Sequence, residues 1–156
     1  MSMIFLDSNA LLKLYLPEIG ANWFRAFVVG QQVVISELAL FECATVLRRL
    51  YTEGRYSKDE TSDLFAQIIQ DSTGYQVIPI GGEPQLNRLL LLILNLPMTL
   101  RIRTLDSIQL AAAAVALEAA NSVVPPEPFV FVSSDRQLLQ VAQFQGFATE
   151  NPETHL

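Results

Sequence analysis

Two short, wholly apolar runs in this chain each lead to an acid. Met3-Ile4-Phe5-Leu6 is followed by Asp7-Ser8, and Phe129-Val130-Phe131-Val132, which Pro128 introduces, is followed by Ser133-Ser134-Asp135. Runs this short and this apolar, each leading into helix-like sequence, predict strands buried on both faces of a parallel sheet. Ligands of open parallel sheets gather beyond the carboxyl ends of the strands, where Asp7 and Asp135 are expected to sit. A carboxylate buried there is costly unless it is paired or binds a cation. Helix capping competes with that role. Asp7, with Ser8 and Asn9, suits the start of a helix near Ala10, and Asp135 suits the start of one at Arg136.

Strand and helix alternate through the rest of the chain. Helices are expected from Ala10 to Leu16, stopped by Pro17; from Asn22 to Val29, with Gly30 as C-cap; and from Leu38 to Glu53, ended by Gly54. Ser57 with Glu60 forms a capping box for a helix from Lys58 to Asp71. Further helices are expected from Glu83 to Asn95, over the alanine-rich stretch Asp106 to Ala120, and from Arg136 to Gln145. Strands are expected at Gln32 to Ile35, Tyr75 to Ile80 and, at an edge, Phe147 to Thr149. The predicted fold class is α/β, a three-layer α/β/α sandwich with a mainly parallel central sheet and right-handed crossovers. No repeat or interdomain linker divides the 156 residues. One domain over residues 1–150 is expected, with 151–156 as a C-terminal tail.

Missing residues narrow the chemistry. The only histidine, His155, lies in the tail, and the only cysteine, Cys43, lies in an apolar helical pattern. A structural zinc cluster therefore lacks ligands, and Ser-His or Cys-His nucleophile systems lack a base. The glycines form neither a dinucleotide fingerprint nor a phosphate loop. Asn9 stands where phosphatases of the haloacid dehalogenase type carry a second Asp. Carboxylates remain, and they offer hard oxygen ligands to Mg²⁺ or Mn²⁺.

Glu42 and Asp106 are the other two candidates. Glu42 shares a helical stripe with Thr45 and Arg49, so a solvated face is its competing reading. Asp106 begins a helix, where a carboxylate is favoured by the helix dipole in any case. Net charge is −6, against the usual basicity of nucleic-acid-binding domains. Yet Lys13, Arg48, Arg49, Arg101, Arg103 and Arg136 all lie close in sequence to one of the four acids. Hydrophobic residues make up 51% and charged residues 17%, a balance that excludes disorder and predicts that a second copy or another partner covers some apolar surface. Trp23, Phe24 and Phe27 have the spacing of core or interface residues. No apolar run spans a bilayer and Asp7 interrupts the N-terminus too early for a signal peptide, so a cytoplasmic protein is expected.

In order and spacing, four segments resemble the PIN domain family, in particular its VapC-type toxins from toxin-antitoxin pairs. They are Ile4 to Tyr15 with Asp7, Ser36 to Glu42, Arg103 to Ala111 with Asp106, and Val132 to Leu138 with Asp135. Gly146 and Asn151-Pro152 are also typical of the family. The resemblance implies a metal-dependent endoribonuclease in which Asp7, Glu42, Asp106 and Asp135 hold Mg²⁺ or Mn²⁺. Ser133 stands where the family has a Thr or Ser that supports the site, and Ser8 adjoins the first acid. It further implies an RNA substrate and a cognate antitoxin. A homodimer is expected from the apolar excess, and Arg49, Arg101 and Arg103, close in sequence to the acids, are the candidates to contact RNA. The competing classes are an inactive PIN-like interaction protein and another metal-dependent phosphohydrolase.

Overall fold

The computed structural model describes residues 2–82, 87 and 91–156. The apolar runs become strands β1 (Met3–Leu6), β2 (Gln32–Ser36), β3 (Gln76–Ile78), β4 (Phe129–Val132) and β5 (Ala148–Glu150). All pair in parallel, in the order β3-β2-β1-β4-β5, so β1 is central and β3 and β5 form the edges. The helices are α1 (Ser8–Lys13), α2 (Ala21–Val28), α3 (Glu37–Thr52), α4 (Lys58–Ser72), α5 (Thr104–Ser122) and α6 (Arg136–Phe144). The helix expected from Glu83 to Asn95 lies partly outside the described residues; within it, 87 and 91–94 are helical.

Alternation along β1 builds the layers, because successive side chains of a strand point to opposite faces. Met3 and Phe5 join a core with Leu110, Ala113 and Ala116 of α5 and Leu138 and Val141 of α6. Ile4 and Leu6 join another with Leu11 of α1, Phe24 of α2, Ala39 and Leu47 of α3, and Ile68 of α4. The alanines of α5 let that helix approach the sheet closely. Among the described residues, α1 to α4 thus pack on one face and α5 and α6 on the other, where Leu92 also packs, which is the expected three-layer sandwich.

Residues 151–156 fold back onto the body. Asn151 caps a 3₁₀ turn, Pro152–Thr154, in which Pro152 is buried. Glu153 accepts from Lys13 Nζ at 3.0 Å, and the His155 ring stacks on Trp23 with centroids 3.6 Å apart. Lys13 is itself buried, bonded also to Glu18 at 3.3 Å and to the Ile19 carbonyl at 3.0 Å.

Candidate active site

Parallel register brings the first and last motifs together. Leu6 is level with Val132, so Asp7 and Ser133 leave adjacent strands side by side at the carboxyl edge. The Ser133 hydroxyl donates to Asp7 Oδ2, while the other carboxylate oxygen accepts from Ala10 N–H at 2.9 Å and so caps α1. Asp135 Oδ1 likewise caps α6, accepting from the Gln137 and Leu138 amides at 2.9 and 3.2 Å. The capping readings of Asp7 and Asp135 therefore hold in this structure, and each cap leaves one carboxylate oxygen for other work. Ser133 serves both acids, since its oxygen also accepts from Asp135 N–H at 3.0 Å.

The other two acids arrive on helices that begin at the same edge. Helix α3 follows β2 directly, with Ser36 as its N-cap, and Glu42 lies on its second turn. Glu42 is half-buried and accepts from Gln109 Nε2 at 2.8 Å, so it is not simply part of a solvated face. Asp106 sits in the first turn of α5, one turn before Gln109. Arg103, the N-cap residue of α5, joins Asp106 to Asp135: its Nε reaches Asp106 Oδ2 and its Nη2 reaches Asp135 Oδ2, both at 3.1 Å.

Asp7 is the electrostatic focus. Only 3% exposed, it is pushed up to about 7, first by burial and then by the negative charges of Glu42 and Asp106, against the hydrogen bonds from Ser133 and Ala10. Cys43 is pushed up to about 12 by burial and by the Glu42 and Asp7 charges, which favours the neutral thiol. Its Sγ points to the Ser8 carbonyl at 3.9 Å. Ser8 thus contributes a backbone contact beside the first acid.

Among the described residues, no three His, Cys, Asp or Glu side chains are assembled as a ready cage for a metal ion. The internal partners explain this. Ser133 and Ala10 hold Asp7, Gln109 holds Glu42, and the Arg103 guanidinium spans Asp106 and Asp135. The donor chemistry nonetheless suits a hard divalent cation: carboxylates under mutual repulsion, with a buried amide oxygen, Gln109 Oε1, that has no hydrogen-bond partner in the structure. Asp106 and Asp135 become available once Arg103 turns aside, an easy motion for a side chain 79% exposed.

The basic residues divide. Arg103 lies at the site, and Arg101 lines a cleft that also includes Arg103 and Asp106. Arg49 instead faces Glu53, at 3.9 Å, on the exposed side of α3. Two supporting residues escaped sequence reasoning. Gln109 had a readable signal, because it stands three positions after Asp106 and so on the same helix face. Asn9 had none, since its role depends on a residue 125 positions away: its side-chain oxygen accepts from Ser134 N–H at 2.9 Å, tying α1 to the β4–α6 turn.

Solved structures share this architecture. The chain is similar to FitAcB from Neisseria gonorrhoeae (17% identity, TM-score 0.70, covering 99% of this chain and 100% of that one). It is also similar to VapBC2 from Rickettsia felis bound to a DNA fragment from their promoter (14%, 0.62, 96% and 98%). DNA-bound VapBC from Salmonella typhimurium is a third such structure (13%, 0.61, 97% and 99%). Comparison with curated proteins gives no significant match. The PIN domain family model, however, matches residues 4–143, from β1 into the last turn of α6, and the chain belongs to the PIN domain family.

Proposed function

We propose that the chain is a Mg²⁺- or Mn²⁺-dependent endoribonuclease, the toxin of a toxin-antitoxin pair. The observation that carries this reading is the arrival of four acids from four separate segments at one end of the sheet. Buried Asp7 lies there within the fields of Glu42 and Asp106. Repulsion of that kind is retained where a cation offsets it. Membership of the family and a fold shared with VapBC and FitAB structures support the same reading.

Asp7, Glu42 and Asp106 would hold the ion, with Asp135 joining directly or through water. When bound, the ion supplies charge neutralisation at the phosphate and a more acidic attacking water. The chain's own groups prepare for this. Ser133 and the Ala10 amide fix the Asp7 carboxylate, and Gln109 fixes Glu42, so neither needs to be ordered when substrate arrives. Arg103, freed from its two aspartates, stands beside them with a guanidinium suited to a phosphodiester oxygen. Arg101 adds a second positive charge along the same path. The cognate antitoxin would reach this edge from solvent, a homodimer would cover part of the exposed apolar surface, and the complex would act in the cytoplasm.

The test is cleavage of single-stranded RNA by the purified chain with Mn²⁺, with EDTA, and with Asp7→Asn. Metal-dependent cleavage lost in the variant is expected. Metal-independent cleavage, or equal cleavage by the variant, overturns the reading. One observation favours a second reading, an interaction protein on a PIN scaffold: each acid already has an internal partner. That reading predicts no RNA cleavage under any metal condition. Hydrolysis of small phosphoesters but not RNA would instead favour a phosphohydrolase.

A further inference from the structure

Beside Asp106 a cleft of about 620 Å³ opens between the segment 93–103 and the start of α6. Its walls change character along its length. Arg103 and Asp106 lie at the end shared with the acidic site, Met98 and Ile102 supply apolar surface, and Arg101 and Gln137 add polar groups. Arg101 is exposed and has no hydrogen-bond or ion-pair partner among the described residues. The Gln137 side-chain amide is also without a hydrogen bond there, while its backbone N–H donates to Asp135. Met98 is fully exposed. An apolar wall, an exposed guanidinium and an exposed amide have complementary uses. They suit a flat ring that packs on one side, an anion beside it, and an edge with hydrogen-bonding groups.

We infer that this cleft is a nucleotide subsite, taking the base next to the phosphate that is cut and making Gln137 the residue that reads it. The inference rests on the nuclease reading and extends it to sequence preference. The volume lies within the roughly 300–1,000 Å³ of small-molecule sites. Continuity with Asp106 places an occupant one nucleotide from the acids, so its phosphates pass Arg103 and Arg101. Positive charge at that point in a chain of net charge −6 favours a polyanion over an acidic-site competitor. The base packs against Met98 and Ile102 and the Arg101 plane, since a guanidinium stacks on bases much as aromatic rings do. A primary amide such as that of Gln137 offers a donor and an acceptor together, the pattern that pairs with an adenine edge.

Cleavage of a random pool of short single-stranded RNAs with Mn²⁺, sequenced at the new ends, tests this. The wild type should enrich one base at a single position beside the cut. Gln137→Ala should flatten that preference. Met98→Asp, at a site too exposed to unfold the chain, should raise KM about tenfold, as expected for losing one packed base. A ribose lacking its base at the same position should cost the wild type about as much, and Met98→Asp little more. Cleavage with no positional base preference, or Met98→Asp acting as wild type on RNA, overturns the subsite and leaves the nuclease reading standing. The latter result with weakened antitoxin binding would assign the cleft to a peptide. No cleavage by wild type is the distinct failure of the nuclease reading itself.

Discussion

Asp7 combines a structural bond with an electrostatic cost in one carboxyl group. Its folded value near 7 lies above the ordinary 3.8, so between those values the folded chain keeps a proton that the unfolded chain releases. The group's contribution is therefore most favourable below about pH 4 and declines as pH rises towards 7. The loss is on the order of 4 kcal/mol at about 1.4 kcal/mol per pH unit. Asp7→Asn keeps an oxygen for the Ala10 amide and removes the charge. In urea melts with EDTA its stability relative to wild type should rise from pH 4 to pH 8; a variant less stable at pH 8 would show that capping outweighs repulsion. Arg103 poses the complementary question. Its two ion pairs are exposed and screened by solvent, so they add little to stability. They nonetheless stand on two of the carboxylates proposed to hold a cation. Arg103→Gln should melt within about 2 °C of wild type yet bind Mn²⁺ about three- to tenfold more tightly by titration calorimetry, with RNA cleavage reduced. Unchanged or weaker Mn²⁺ binding would exclude competition by the guanidinium.

The elements were legible in the sequence where local chemistry decided them. Short apolar runs gave the strands, and Ser57 with Glu60 forms the capping box expected of it. Boundaries shifted where longer-range contacts intervene. Helix α1 starts two residues early, at Ser8, because Asp7 caps it, and ends at Lys13, three residues before the expected Leu16. Beyond Lys13, the Leu14 and Leu16 carbonyls accept from Arg25 of α2 at 3.0 Å. The third strand shrinks to Gln76–Ile78 because only Val34, Ile35 and Ser36 of β2 are available to pair with it. The place of the four acids in the fold was readable, since each follows a strand or lies on a helix that starts at the carboxyl edge. Their internal partners were not, because Gln109–Glu42 and Arg103–Asp135 join positions 67 and 32 apart. Gly20 shows the same limit. It precedes α2 with φ of 76°, and a Cβ there would lie 2.0 Å from the Pro152 carbonyl oxygen. Gly54, also at positive φ after α3, has open space around it. Gly20→Ala should therefore cost more than about 2 kcal/mol and loosen the C-terminal turn, against about 1 kcal/mol for Gly54→Ala, where only backbone strain acts. Equal losses in denaturant midpoints would mean that the Pro152 contact yields without cost.

At the scale of the molecule, the sheet gathers negative charge at one end while two apolar cores hold the other parts together. No helix among the described residues is long and apolar enough to cross a membrane. Fold stability and site chemistry are therefore coupled through the acids: whatever neutralises them also stabilises the whole chain. A cation bound only by the folded state adds RT ln(1 + [L]/Kd), about 2.7 kcal/mol once free metal reaches about 100 times Kd. For a domain of this size, that corresponds to a rise of about 5 to 10 °C in Tm. Asp106→Asn separates this from general effects of divalent salt. Asp106 lies in the first turn of α5, where its charge favours the dipole and pairs with Arg103, but it also raises the cost of Asp7. These opposing contributions should leave the metal-free variant within about 1 kcal/mol of wild type. With Mn²⁺ the two proteins should diverge, because the variant has lost a charged ligand, and its rise in Tm should be less than half that of wild type. Calorimetric melts of both in EDTA and in excess Mn²⁺ make the comparison without any knowledge of the RNA. Equal rises would assign Asp106 to the helix and to Arg103 alone, and the interaction-protein reading would then account for the four acids better than a nuclease does.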